Sequence, residues 1–173
     1  MIKSKKRFSV CLMAALTLMA AGAAGFAQRH FMLSNAARPD VKLQLSGAVE
    51  REAGAVKLSK DTVVKSGEVL DWTITSENDG NAAAVEYKAV AHIPPGTTFV
   101  DGSAKSDGAA KAFFSIDGGK SYSQQPMIEE KHADGSSKRV PAPVSMYTDV
   151  RYEWADSLAP GGKLSASYRV RVK

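Results

Sequence analysis

The chain has 173 residues, of which 44% are hydrophobic, and it carries a formal net charge of +5. Four basic residues stand close together at the N-terminus (Lys3, Lys5, Lys6 and Arg7), so the rest of the chain carries 5 − 4 = +1. This near-balance argues against a nucleic-acid-binding protein and against a polybasic membrane contact.

Residues 1–27 have the layout of a secretory signal peptide. The basic residues precede an apolar run, 8–24, and the small residues Gly25 and Ala27 stand where a signal peptidase reads the chain. We expect cleavage after Ala27, with Ala24 as an alternative, so that the chain meets the membrane only during export. An uncleaved anchor is the other interpretation, because the apolar run approaches the roughly 20 residues that span a bilayer.

The remaining 173 − 27 = 146 residues are enough to form one domain. Residues 28–40 show no periodicity and contain Pro39, so we predict a linker there and a single domain over residues 41–173. The only cysteine, Cys11, is removed with the signal. The domain must therefore be stabilised by its hydrophobic core without disulfides.

Stretches in which apolar and polar residues alternate predict β-strands from Val41 to the C-terminus. They are VKLQLSG at 41–47, EVLDWTITSEN at 68–78, AVEYKAVAHI at 84–93, TTFV at 97–100, the arms of a hairpin at 110–123, DVRYEWA at 149–155 and KLSASYRVRVK at 163–173. Glycine, proline, asparagine and aspartate separate them, as turns require. About seven or eight short strands, with no helical pattern after the signal segment, predict an antiparallel β-sandwich.

The alternation also predicts which side chains form the core. Leu43 and Leu45 share the apolar face of the first strand. Trp72, Trp154 and Tyr168 each lie on the same face of their own strand as its aliphatic or aromatic residues. A large aromatic residue contributes most to stability when it is buried. We therefore expect both tryptophans in the core and not exposed for stacking on sugars.

Several stretches resemble the bacterial conserved-repeat domain (domain of unknown function number eleven), a module of exported and surface proteins. The stretches are "SGEVLDWTITSENDGN", "IPPGTTFVDGSA", "SIDGGKSYS" and "VRYEWADSLAPGGKLSASYRVRV", and the resemblance runs from about Val56 to Lys173. It implies an immunoglobulin-like sandwich without catalytic residues. The chain departs from the family in having one copy, in Ala91 where an aspartate is common, and in an insertion at 124–145.

Residues 124–145, QQPMIEEKHADGSSKRVPAPVS, form the least regular part of the sequence, and we predict a long surface loop there. The loop and the preceding hairpin carry the residues that we consider for partner contact. They are Phe113, Phe114, Tyr122, Glu129, Glu130, Lys131, Lys138 and Arg139. One of the two adjacent phenylalanines must face away from the core, so an exposed aromatic patch that includes Tyr122 is one alternative.

No set of residues indicates catalysis or a cofactor, and we predict neither. His30, His92 and His132 are far apart in sequence and have no cysteine to assist them, so a metal site is not expected. The Asp-Gly pairs at 79, 101, 107 and 117 are read as ordinary tight turns instead of calcium loops. A hydrolase would need a histidine within hydrogen-bond reach of a serine or an aspartate.

These observations predict a non-catalytic exported protein of the bacterial cell envelope, periplasmic or extracellular, with surface association left open. Its role would be adhesion, scaffolding or surface assembly, through an envelope or surface protein as partner. The alternative is a module that binds a glycan or another ligand through 110–123 and 124–145. Self-association through the last strand is also open, although Arg169, Arg171 and Lys173 would discourage it.

Overall fold

The computed structural model describes residues 36–133 and 135–173. The predicted signal peptide and its cleavage site lie outside these residues, as does most of the predicted linker. A compact unit runs from Arg38 to Lys173, so it begins slightly before the predicted domain start at Val41. Backbone hydrogen bonds hold its first residues in place. The carbonyls of Arg38 and Asp40 accept the N–H groups of Asn81 and Asp79, at 3.2 and 2.8 Å respectively.

Eleven β-strands and one short 3₁₀ helix make up the regular structure of the described residues. The strands are β1 (Val41–Arg51), β2 (Gly54–Lys57), β3 (Val69–Asn78), β4 (Lys88–His92), β5 (Thr97–Phe99), β6 (Lys105–Ser106), β7 (Ala110–Ser115), β8 (Met127–Lys131), β9 (Ser137–Pro141), β10 (Asp149–Trp154) and β11 (Lys163–Val172). The helix spans Val144–Met146. No helix in this part of the chain is long and apolar enough to span a membrane.

Two antiparallel sheets pack face to face. The first has six strands in the order β2-β1-β3-β11-β5, with β6 also paired to β11, and the second has three in the order β4-β10-β7. The predicted immunoglobulin-like antiparallel β-sandwich is confirmed. The structure has more strands than the seven or eight expected, because the very short strands β2 and β6 are not evident in the sequence pattern and because β8 and β9 form in the predicted loop.

The core consists of side chains from the facing surfaces of both sheets. Tyr168 is fully buried, Trp154 is 6% exposed, and Trp72 is partly buried against the same cluster. The predicted inward orientation of these three residues is therefore confirmed. The other buried members are Val49, Leu70, Ile74, Ala89, Ala91, Ile93, Phe99, Val150, Tyr152, Ala166 and Val170.

The first strand departs from the expectation. Leu45 lies opposite the buried Ile74 in the β1–β3 register, so it does point to the inner side of the sheet. Yet Leu43 and Leu45 are 49% and 46% exposed. A three-stranded sheet cannot cover the whole inner face of a six-stranded one, and within the described residues the second sheet does not cover this end of β1.

The last strand is not an edge strand. β11 lies between β3 on one side and β5 and β6 on the other, with Val170 opposite Phe99 and Ala166 opposite Ser106. The prediction that its free edge could pair with another copy is therefore wrong. A sequence shows that a strand alternates, but it does not show which strands will flank it.

The predicted long loop at 124–145 is also partly wrong. β8 and β9 form a two-stranded antiparallel sheet of their own, with Glu129 opposite Arg139 and Glu130 opposite Lys138. Conversely, the predicted hairpin at 110–123 has only one regular arm, β7. Its second arm is reduced to a single bridge in which Phe114 and Ser123 exchange backbone hydrogen bonds of 2.7 and 3.0 Å.

Candidate functional site

The outer face of the three-stranded sheet brings together a histidine, an aspartate and a serine. In the register of β4, β10 and β7, Asp149 lies directly between His92 and Ser115. The Asp149 side chain is 4% exposed, whereas the His92 side chain is 74% exposed. His92 Nδ1 hydrogen-bonds to Asp149 Oδ1, and the Thr148 hydroxyl donates to Asp149 Oδ2 at 2.7 Å.

This arrangement has the wrong order for a catalytic triad. In a triad the imidazole lies between the nucleophile and the carboxylate, so that it can take the proton of the nucleophile. Here the carboxylate of Asp149 is the middle group. Ser115 is 1% exposed, and its hydroxyl donates to Asp117 at 2.7 Å while it accepts the Gly119 N–H at 2.9 Å. The serine is therefore fixed in a turn on the far side of Asp149 from the imidazole.

Asp117 organises that turn. Its carboxylate accepts hydrogen bonds from the hydroxyls of Ser115 and Ser121, at 2.7 and 2.6 Å, and from the N–H groups of Lys120 and Ser121, each at 3.0 Å. These donors, the Ser121 hydroxyl first, hold the pKa of Asp117 well below its usual range. Within residues 36–133 and 135–173, no three His, Cys, Asp or Glu side chains are grouped as a metal site requires.

The three aromatic residues proposed for partner contact do not form one patch. The ring of Phe114 points inward and packs against Phe99 and Tyr147, with ring centroids 5.0 and 4.8 Å apart. Phe113 and Tyr122 lie on the outer side, where the Arg151 guanidinium is 5.5 Å from the first ring centroid and 4.1 Å from the second. One phenylalanine therefore faces outward beside Tyr122 and the other faces the core, as the adjacent positions of Phe113 and Phe114 require.

Arg151 is held from several sides. Its Nη2 is 2.6 Å from Glu153, and Nε is buried with no hydrogen-bond partner among the described residues. Burial and the nearby Asp149 carboxylate raise the pKa of the Tyr122 hydroxyl, so the ring beneath the guanidinium stays neutral. These contacts fix Arg151 as part of the sheet surface.

The five charged residues proposed for partner contact all lie on the β8–β9 hairpin and are exposed. Glu129 and Arg139 are opposite one another, as are Glu130 and Lys138, so each face of the hairpin carries an acid–base pair. Opposite charges across two strands stabilise their pairing. The fifth residue, Lys131, lies opposite Ser137 next to the hairpin tip.

A shallow cavity of about 370 Å³ lies on the outer face of the six-stranded sheet. Small polar side chains line it, and Asp71 and Glu50 stand at one end. Burial, followed by the nearby Glu50 carboxylate, raises the pKa of Asp71. Sequence reasoning missed this cavity, because its lining comes from three strands whose outer residues are ordinary polar ones. Those residues include Gln44, Ser46, Thr73 and Thr75.

Comparisons of this chain with protein-family models, with curated proteins and with solved structures find no match.

Proposed function

We propose that this protein is a non-catalytic exported module of the bacterial envelope, which acts in adhesion, scaffolding or surface assembly by contacting a partner protein through the β8–β9 hairpin. Its export is inferred from the signal-like residues 1–27. The resemblance to the conserved-repeat domain supports the same role, and an immunoglobulin-like sandwich is a suitable frame for it.

The observation that carries the proposal is the placement of the charged residues. The strands β8 and β9 pair with each other and with no other strand of the described chain, and their charges face solvent. A partner can contact such a hairpin without disturbing the core. Paired opposite charges in a fixed register give a partner a pattern to match, which favours specificity.

The proposal that the module is non-catalytic is supported by the order of groups around Asp149. The imidazole of His92 contacts a carboxylate, but the neighbouring serine is buried behind that carboxylate. A nucleophile activated by His92 would have to lie on the exposed side of the imidazole. No serine hydroxyl in the described part of the chain hydrogen-bonds to it.

The alternative of glycan binding has less support. It would use Phe113 and Tyr122, but the Arg151 guanidinium lies over both rings, and Phe114 packs in the core. A sugar would need a free aromatic face for stacking. We therefore favour a protein partner over a glycan.

The test is fractionation of cells followed by crosslinking of the tagged protein in place. A double variant, Glu129→Arg with Arg139→Glu, keeps the cross-strand pair but reverses its pattern on the surface. The control is Glu52→Lys with Lys60→Glu, which exchanges two exposed charges elsewhere on the domain that form no ion pair within the described residues.

We expect the protein in the envelope or external fraction, and a crosslinked partner that the hairpin variant loses and the control retains. Recovery of the protein in the cytoplasm would contradict its export. A crosslinked partner that both variants retain would contradict the role of the hairpin.

A further inference from the structure

The N-terminal half of β1 has one free edge. Residues Val41–Ser46 pair with β3 on one side, but β2 pairs with β1 only from Ala48 to Arg51. The last backbone hydrogen bond on that side runs from the Leu58 N–H to the Gly47 carbonyl, at 2.8 Å. Beyond Gly47 no strand within the described residues covers this edge.

The direction of the unpaired backbone groups follows from that hydrogen bond. In an antiparallel sheet, alternate residues direct their N–H and C=O groups to the same side. The backbone groups of Gly47 point to the β2 side. Those of Val41, Leu43 and Leu45 therefore point to that side as well. The even-numbered residues between them make the hydrogen bonds with β3.

The side chains of this edge are unusual for an unpaired strand. Leu43 and Leu45 are 49% and 46% exposed on the inner face, and Lys42 is the only charged residue between Val41 and Ser46. Natural edge strands are protected by charges, prolines or short length, because an exposed apolar edge is a template for another strand. The edge strand β4 shows that protection, with only five residues followed by Pro94 and Pro95.

We propose that this edge pairs with the same edge of a second copy of the chain, in an antiparallel contact with Leu43 at the two-fold axis. Leu43 then faces Leu43 of the second copy, and Val41 faces Leu45. On the outer face Lys42 faces Gln44. Apolar residues meet apolar residues on the inner side, and no two like charges lie opposite each other.

Neighbouring registers fit less well. Centring the pair on Lys42 places two ammonium groups opposite each other, which destabilises a sheet. Centring it on Gln44 brings Val41 against Gly47, whose carbonyl already accepts the Leu58 N–H. A shift by one residue places the apolar side chains of one copy beside the polar ones of the other. The sequence of the edge therefore selects the register centred on Leu43.

The contact joins the two six-stranded sheets into one continuous sheet and covers leucines that the second sheet leaves open. It is isologous, so it closes a dimer and does not propagate into a fibre. It also goes beyond the proposed function, since it requires neither export nor a partner of the hairpin.

Cysteine crosslinking tests both the contact and its register. In a Cys11→Ser background the chain has no other cysteine, and we expect Leu43→Cys to form a disulfide-linked dimer under mild oxidation. Hydrogen-bonded residues in antiparallel strands have Cα atoms about 5.5 Å apart, which is within the range for a disulfide. Leu45→Cys is the matched control, because two such residues would be more than ~7 Å apart. A dimer formed by Gln44→Cys instead of Leu43→Cys would overturn the register.

Sedimentation of the cysteine-free protein over a concentration series gives an independent measurement. We expect dimers for the unsubstituted edge, monomers for Leu43→Lys, and dimers for the control Val85→Lys, which alters a 74% exposed residue outside β1. Circular dichroism confirms that each variant is folded. A strict monomer at all concentrations, or a dimer that persists in folded Leu43→Lys, overturns the proposal.

Discussion

Tyr152 and Tyr168 donate hydrogen bonds in opposite directions across the sandwich. Tyr152, on β10 of the three-stranded sheet, donates to the Ser167 carbonyl of the six-stranded sheet at 2.6 Å. Tyr168, on β11 of the six-stranded sheet, donates to the His92 carbonyl of the three-stranded sheet at 2.8 Å. Both side chains are almost completely buried. The two sheets are therefore joined by a reciprocal pair of hydrogen bonds in addition to apolar packing.

Replacing either tyrosine by phenylalanine should destabilise the domain. Each change removes one buried hydroxyl and leaves a partly buried carbonyl without that donor, at a cost of about 1 to 3 kcal/mol in the free energy of unfolding. Urea denaturation of Tyr152→Phe and Tyr168→Phe would measure it. Tyr147→Phe is the control, because that hydroxyl makes no hydrogen bond within the described residues. Equal losses in all three variants would show that the cross-sheet hydrogen bonds have no special role.

The same two tyrosines predict a loss of stability in alkali. Burial raises the pKa of both Tyr152 and Tyr168 above the ordinary value of 10.0. Above pH 10 the unfolded chain releases these protons and the folded chain keeps them, so the free energy of unfolding falls as the pH rises. We expect the urea midpoint to decrease above pH 10, and to decrease less steeply in the variant with both tyrosines replaced by phenylalanine. Parallel curves for the two proteins would contradict this assignment.

Asn78 should be among the most sensitive positions. Its Oδ1 accepts the N–H groups of Asp40 and Gly80 at 3.0 and 3.1 Å, and its Nδ2 donates to the carbonyls of Ala82 and Leu158 at 2.8 and 2.9 Å. The fully buried side chain thus connects the start of β1, the turn after β3 and the segment before β11. We expect Asn78→Ala to cost about 2 to 4 kcal/mol, because one buried and three partly buried backbone groups lose their partners.

A matched control for that prediction lies in the same turn. Asn81 is exposed, and its Oδ1 accepts only the Arg38 N–H, at 2.8 Å. Thermal unfolding of Asn81→Ala should therefore show a much smaller loss than that of Asn78→Ala. Asn78→Asp keeps the shape but loses the amide donors, and it should resemble the alanine variant. A tolerated Asn78→Asp would show that the amide hydrogen bonds matter little.

Local sequence patterns predict which side chains face the interior of the sandwich. They do not predict how much of one sheet the other covers, or which polar side chains meet between strands. Strict alternation predicts that Trp72 and Tyr168 lie on the inner faces, because successive side chains of a strand point to opposite faces of the sheet. The exposure of Leu45 depends on the width of the opposite sheet, which no local pattern contains. The contact between His92 and Asp149 joins residues 57 apart in sequence. The strands β8 and β9 were missed because charged residues exposed on both faces do not alternate.

Arg151 and Tyr122 should be energetically coupled. The guanidinium carbon is 4.1 Å from the centroid of the Tyr122 ring, close enough for a cation–π interaction of about 0.5 to 1 kcal/mol. A double-mutant cycle with Arg151→Met and Tyr122→Leu would measure the coupling in the free energy of unfolding. The longer distance to Phe113, 5.5 Å, predicts a weaker coupling in the parallel cycle with Phe113→Leu. Stronger coupling to Phe113 would contradict the observed stacking.

Asp117 predicts how the domain responds to acid. Hydrogen bonds from Ser121, Ser115 and Lys120 hold its pKa below the ordinary value of 3.8, so the folded state favours the ionised carboxylate. The resulting stability is present above that ordinary value and is lost as the pH falls through the lower pKa of the folded state. Asp117→Asn should therefore be less stable than the unsubstituted protein at neutral pH, and the difference should shrink in acid. Urea midpoints measured over a pH series would show this convergence.

The control for that series is Asp101→Asn, in another Asp-Gly turn. There the carboxylate accepts a hydrogen bond from the adjacent Gly102 N–H, at 3.0 Å, and no hydroxyl of a described residue donates to it. The turn at Asp117 also sets the position of Ser115 beside Asp149, since the Ser115 hydroxyl donates to Asp117. If the two variants showed the same pH dependence, the carboxylate of Asp117 would have no particular part in holding this turn.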